Sequence, residues 1–299
     1  MLLNEKAVLV SPVIRKWNPR KVDKRLVEEV ATNYGINSKV VSASKKLVAL
    51  NEEVFSRIET CDKKIRNHVF YSVGQGCTGF CVPYDHKGKH LLPTELEKSF
   101  WDRFNELADN REREVKRVVD SWEQIVESAE EELKGLFDAN DYPSKEEIAS
   151  KYECRVIRES LPDEAYIGKN DYQVDDPRYG VSQSDVVEVE SRTKSQVEQS
   201  TEQATTNINV LLTHLTDCLK NDKTFRDNSF DKVKNAIDCF GAWNFNNNPD
   251  LAEANTILVD AVSKINGADD LRKDSTKVDE FVEASDKASE ILNNLDGVI

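Results

Sequence analysis

Four residues could close around a metal ion: Cys77, Cys81, His86 and His90 form a C-x3-C-x4-H-x3-H run. Zinc accepts two thiolates and two imidazoles. Structural fingers leave more chain between the two pairs, however, and knuckles use C-x2-C. The competing reading is a glycine-rich turn with buried cysteines and with histidines exposed beside Lys87 and Lys89. Gly74, Gly76 and Gly79 have the spacing of a dinucleotide loop, but such a loop follows a strand and opens a helix. Here a helical pattern precedes it and an extended piece follows. There is no phosphate-binding G-x-x-x-x-G-K-[ST] loop and no G-x-S-x-G elbow. His68 and His214 fall in helical sequence with no nucleophile that spacing would pair with them, and the carboxylates follow helical faces without an acid/base pair standing out. No catalytic residue and no cofactor is assigned, and an enzyme is not expected.

The best binding candidate is a basic cluster: Arg15, Lys16, Trp17, Arg20, Lys21, Lys24 and Arg25. Lysine and arginine neutralise phosphates, and an interleaved tryptophan can stack on an unpaired base. Lys45, Lys46, Lys63, Lys64 and Arg66 could extend the patch. The same cations would equally suit an acidic face of a second subunit. Charge along the chain supports either partner. Residues 1–90 hold 16 Lys+Arg against 9 Asp+Glu, a net of +7, while the remainder is at −21, for −14 in all. A third reading takes the acidic part as a mimic of nucleic acid that inhibits host defence proteins, and the bland one is a solubilising surface.

The elements that must carry these residues are mostly helical. Charged residues are 32% of the chain, with only 11 Gly and 8 Pro among 299 residues, which favours helices over a sandwich or barrel. Residues 7–15 read as a strand with Pro12 marking an edge or break. A short helix near Val22–Tyr34 is stopped by Gly35, and a second short strand is expected near Val40–Ser44. From Lys46, apolar residues recur every three or four positions through Val69, an amphipathic helix of about six turns. Thr94 with Glu97 suggests a capping box, opening a helix of about 40 residues to Leu136 that would be roughly 60 Å long.

Ser182 to Asn221 is its expected antiparallel partner. Its ends are apolar, but from Ser191 to Asn207 only Val197 and Ala204 are, so the pair would be zipped at the ends and loose in the middle. Alternatively the polar stretch lines a channel or faces a partner. Between these helices come a helix capped by Ser144 and Glu147, a strand near Cys154–Ile157 and a polar loop to Gly180 containing Tyr166, Tyr172 and Tyr179. Three helices close the chain. The expected class is mainly α with a small β element (α+β), a long antiparallel helical hairpin plus a C-terminal helical bundle. Three regions follow: 1–92, basic and α+β; 93–221, the hairpin; 222–299, the acidic bundle. No apolar run approaches the roughly 18 residues of a membrane span, and the amino terminus lacks the regions of a signal peptide. Scattered cysteines suit a reducing compartment, so the expected location is the cytoplasm.

Several stretches resemble a family of uncharacterised proteins encoded by bacteriophages and other mobile elements. These are the first strand with Trp17, Ser42–Leu50 (Ser-Ala-Ser-Lys-Lys-Leu-Val-Ala-Leu), the Gly79-Phe80-Cys81-Val82-Pro83 turn, the Phe104–Trp122 helix, Phe225-Arg226-Asp227-Asn228 and Trp243-Asn244-Phe245. Genes of that family often lie beside a MoxR/CobS-like AAA+ ATPase and a von Willebrand A-domain protein. The resemblance implies a viral or mobile-element protein that works by binding macromolecules, as a homo-oligomeric adaptor or assembly factor with an AAA+ ATPase as a possible partner. It carries over no catalytic residue, and its turn before Pro83 does not require cysteines.

Overall fold

Alternation and helical spacing settle most of the chain into the expected classes: mainly α, with a small four-stranded antiparallel sheet and a two-stranded ribbon among the described residues. The computed structural model describes residues 3–48, 52–70, 80–85, 88–161, 183–221 and 225–295. The Gly74–Gly79 run, Cys77, His86 and the tyrosine-bearing loop to Gly180 lie outside the described residues. The helices are α1 (Leu3–Lys6), α2 (Lys24–Tyr34), α3 (Glu52–His68), α4 (Glu97–Asp120), α5 (Trp122–Leu133), α6 (Lys145–Ser150), α7 (Gln183–Lys220), α8 (Asp227–Phe240), α9 (Pro249–Ser263), α10 (Ala268–Lys273) and α11 (Ser275–Leu295). The strands are β1 (Ala7–Arg15), β2 (Arg20–Val22), β3 (Ser44–Lys46), β4 (Val82–Pro83), β5 (His90–Pro93) and β6 (Glu153–Ser160). Two units divide the chain: residues 1–11, 65–104 and 156–299 form the first, and residues 12–64 and 105–155 the second.

In the first unit the sheet runs β4-β5-β1-β6, with Ala7 opposite Pro93 and Leu9 opposite Leu91. The unbroken apolar run Ala7–Val10 is explained by burial of all four residues, since both faces of the sheet are covered. On one face Ala7, Leu9, Val82 and Leu91 pack with Val197, Ala204, Trp243 and Phe245. On the other, the Phe70 ring meets His90 edge-on at 5.3 Å and Phe100 at 5.6 Å.

The polar middle of α7 therefore faces the sheet and not a channel. Val197 and Ala204 enter the core, while the Ser200 hydroxyl donates to the Pro83 carbonyl at 3.1 Å. Short hydroxyl side chains let the helix approach the edge strand closely and hydrogen-bond its free carbonyl. Further along, α7 buries Ile208, Leu212 and Leu215 against α8 and α11, and α9 packs on α11. Asn248 caps α9 ahead of Pro249 at its first position, and Asp274 caps α11 through the Thr276 amide at 3.1 Å. The apolar end of α7 is filled by the C-terminal helices, and residues 105–136 belong to the other unit.

In the second unit Leu47, Val48, Phe55, Ile58, Val118, Trp122, Ile125 and Ile148 form the core. Two expectations for its long helix change. Thr94 does not cap it: its hydroxyl donates to the carbonyls of Glu5 and Lys6 at 3.1 and 3.0 Å, and the helix starts at Glu97 after a 3-10 turn. The helix also bends at Ser121, whose hydroxyl bonds back to the Arg117 carbonyl at 2.7 Å, separating α4 from α5. The Ser144–Glu147 capping box forms as the residue spacing suggests. The second strand lies at Ser44–Lys46, a few residues later than expected.

His90 supplies a pH test of the sheet. Burial pushes its imidazole below the ordinary range, although the Gly88 carbonyl and Asp85 both favour the proton. The unfolded chain then binds that proton more readily than the folded one. Stability is full above the ordinary imidazole pKa of about 6.5 and is lost as pH falls through the lowered folded value. Thermal melts at neutral and mildly acidic pH should show this drop, and His90→Gln should reduce it. An unchanged drop in the variant would assign the effect to another group.

Candidate interaction surface

The basic cluster sits on the second unit, and its local fold follows from two devices. Arg20–Val22 pairs with Ser44–Lys46 as a two-stranded ribbon, in the register Arg20↔Lys46, Lys21↔Lys45 and Val22↔Ser44. Asp23 then caps α2, accepting from the amides of Arg25 at 2.9 Å and Leu26 at 3.4 Å. Gly35, at φ 64°, closes the helix in the left-handed conformation that glycine adopts without strain.

The ribbon sets like charges directly opposite each other, which destabilises a strand pair unless anions intervene. For Lys21 and Lys45 they do. Asp141 accepts from both, at 2.7 Å from Lys45, and Asp23 lies 3.3 Å from Lys45. Lys45 is 4% exposed, and its ammonium also donates to the Leu136 carbonyl at 2.5 Å. Burial opposes ionisation of Asp23, but hydrogen bonds from the Arg25 side chain and amide and from Lys45 hold its carboxyl at about 2. Burial likewise opposes ionisation of Asp141, and Lys21 and Lys45 overcome it, lowering its pKa.

The other cluster members divide between the core, ion pairs and the surface. Trp17 is half-buried and wedged between Trp122, ring to ring at 5.1 Å, and Phe55 at 5.8 Å, so its ring belongs to the core and is not held open for a base. Arg15 pairs with Glu153 at 3.1 Å and Lys16 with Glu59 at 2.6 Å. Arg25 donates to the carbonyls of Gly135 at 3.2 Å and Leu136 at 3.4 Å. Arg20 and Lys24 are exposed and carry no ion pair among the described residues. Much of the basic charge that suggested an external anion is therefore matched inside the chain.

Residue spacing missed the buried pair Asp62–Arg111, which joins α3 to α4 at 2.6 Å with both side chains 3% exposed. Arg111 also donates to the Arg15 carbonyl at 2.7 Å and lies over the Tyr152 ring. Nothing marks either residue among the many charges on these helices. The apolar exposures were equally hidden. Among the described residues eight large apolar side chains are exposed, and four fall within one short stretch: Val22 at 60%, Tyr34 at 77%, Ile36 at 47% and Val40 at 77%.

Of the candidate zinc ligands, Cys77 and His86 lie outside the described residues. Cys81 is fully buried, and the Nδ1 of His90 is 3.1 Å from the Gly88 carbonyl. Among the described residues no group of three or more His, Cys, Asp or Glu could hold a metal, and no helix is long and apolar enough to cross a membrane. No protein-family model, curated protein or solved structure matches the chain.

Two substitutions test the charge framework. Arg111→Met leaves Asp62 as a buried unpaired charge and should cost about 3–5 kcal/mol in urea unfolding, with Asp62→Leu/Arg111→Met recovering most of it. If the double variant is no better than the single, the pair does more than neutralise itself. Lys134, at φ 46° in the loop whose next two carbonyls receive Arg25 and Lys45, occupies a conformation that costs a non-glycine residue energy. Lys134→Gly should raise stability by about 1 kcal/mol, and a lower melting temperature would contradict the strain.

Proposed function

We propose that this chain is a non-enzymatic protein that acts by binding other macromolecules, as a homo-oligomeric adaptor or assembly factor. The observation that carries the reading is the cluster of exposed apolar residues from Val22 to Val40, beside cations not used in ion pairs. Water disfavours such a surface, and a group of apolar side chains on the surface of a folded unit marks an interaction site. The neighbouring helix α2 has 11 residues and buries only Ala31. A helix of that length is marginal on its own and gains stability from packing.

The resemblance adds a bacteriophage or mobile-element origin, a cytoplasmic setting and an AAA+ ATPase as a partner. A nucleic-acid role through Arg15–Arg25 loses its main support with Trp17 in the core and Arg15, Lys16 and Lys21 in ion pairs.

Light scattering of the purified chain over a wide concentration range tests the reading. The mass should rise above that of a monomer. A strict monomer at every concentration would remove self-assembly, and loss of gel shifts in Arg20→Glu/Lys24→Glu would return nucleic acid to first place.

A further inference from the structure

Tyr34, Ile36 and Val40 lie at and just beyond the C-terminal end of α2, and Val22 just ahead of its N-terminal end. Ile36 folds back so that its amide reaches the Ala31 carbonyl at 3.0 Å, and the Val40 amide bonds the Asn37 carbonyl at 3.0 Å. Two consecutive tight turns therefore gather Tyr34, Ile36 and Val40. Val22 stands opposite Ser44, which follows Val40 by four positions, at most about 14 Å of extended chain.

The edge of this surface is cationic. Arg20 shares the outer ribbon face with Val22, the side away from Asp23 and Asp141, and Lys39 adjoins Val40. Lys24 begins α2, whose Glu28 and Glu29 fall at helical angles away from Leu26, Val27, Val30 and Tyr34. An apolar patch edged with cations does not pair well with its own copy, since a two-fold contact would set Arg20, Lys24 and Lys39 against one another. It calls for an acidic counterpart.

The chain carries one. On α11, Asp279, Glu283, Asp286 and Glu290 recur at i, i+4, i+7 and i+11, all exposed, while Phe281, Ser285, Ala288 and Leu292 are buried on the opposite side. Among the described residues, of these four acids Asp286 alone is in an ion pair, with Lys220 at 2.8 Å. Val278 and Val282 flank this ridge half-buried and offer apolar contact beside the carboxylates.

We infer that the Val22–Val40 face of one copy docks on the acidic α11 ridge of a second copy, a head-to-tail contact that leaves both complementary surfaces free at the ends. This rests on the self-assembly reading above and gives it a geometry. Such contacts do not terminate at a dimer unless they close into a ring.

Sedimentation equilibrium of the full chain at about 0.05 M and about 0.5 M salt tests this, because charges beyond roughly a Debye length are screened at the higher value. The wild type should grow past the dimer with concentration and associate more weakly in high salt. Tyr34→Ser/Val40→Ser and, separately, Glu283→Lys/Glu290→Lys should weaken association about tenfold or more, with the melting temperature unchanged. A chain combining Arg20→Glu and Lys24→Glu with Glu283→Lys and Glu290→Lys should recover it. Undiminished association in either first variant overturns this contact while self-assembly stands, and failure of the combined chain to recover overturns the ridge as counterpart. A wild type that stays monomeric overturns both, as would a monomer that shifts single-stranded DNA through Arg20 and Lys24.

Discussion

Lys45 sets the terms for the second unit. A nearly buried ammonium is tolerable only where carboxylates and carbonyls surround it, and Asp23, Asp141 and the Leu136 carbonyl supply that shell. Each of these partners has a further role. Asp23 begins α2, Asp141 also holds Lys21, and Leu136 also receives Arg25. One buried cation thus ties the ribbon, the start of α2 and the 134–141 loop together. Each partner also holds another group of the network, so loosening any one of them exposes the rest.

Ion pairs within the chain also offset part of its charge asymmetry. Counted along the sequence, a basic first third and an acidic remainder suggest an anion arriving from outside. In the folded chain, Arg15 meets Glu153, Lys21 and Lys45 meet Asp141, and Lys89 meets Glu159. Separation in sequence is not separation in space, and Coulomb attraction acts on the latter. Of the cations left over among the described residues, Arg20, Lys24 and Lys39 lie near exposed Val22, Tyr34 and Val40 in the chain.

Periodic features were legible from residues alone. The Ala7–Val10 run, the Ser144–Glu147 cap, the stop at Gly35 and the two apolar positions in the middle of α7 all follow from local spacing. What could not be read depends on partners far along the chain. Thr94 and Glu97 have capping-box spacing, yet the Thr94 hydroxyl is drawn to the carbonyls of Glu5 and Lys6, and Glu97 forms a two-bond pair with Arg158. Trp17 lies among cations in sequence, but an indole buries more apolar surface than the neighbouring lysines can cover, so the core takes it. For the interaction surface, the types of Val22, Tyr34, Ile36 and Val40 are those of core residues; only the fold shows that nothing covers them.

The polar middle of α7 shows the same physics in reverse. By composition, Ser191 to Asn207 looks like a surface that wants water or a partner. Yet Thr193, Ser200 and Thr205 are buried. Each hydroxyl can return its hydrogen bond to its own helix, as Ser200 does to Gln196 and Thr205 to Thr201, at about the same distances that bind Ser200 to Pro83. A self-satisfying hydroxyl is inexpensive to bury, whereas an unpaired apolar side chain in water is not. Polarity is therefore a poor guide to which surface of this chain awaits a partner, and exposure of Tyr34 and Val40 is the better one.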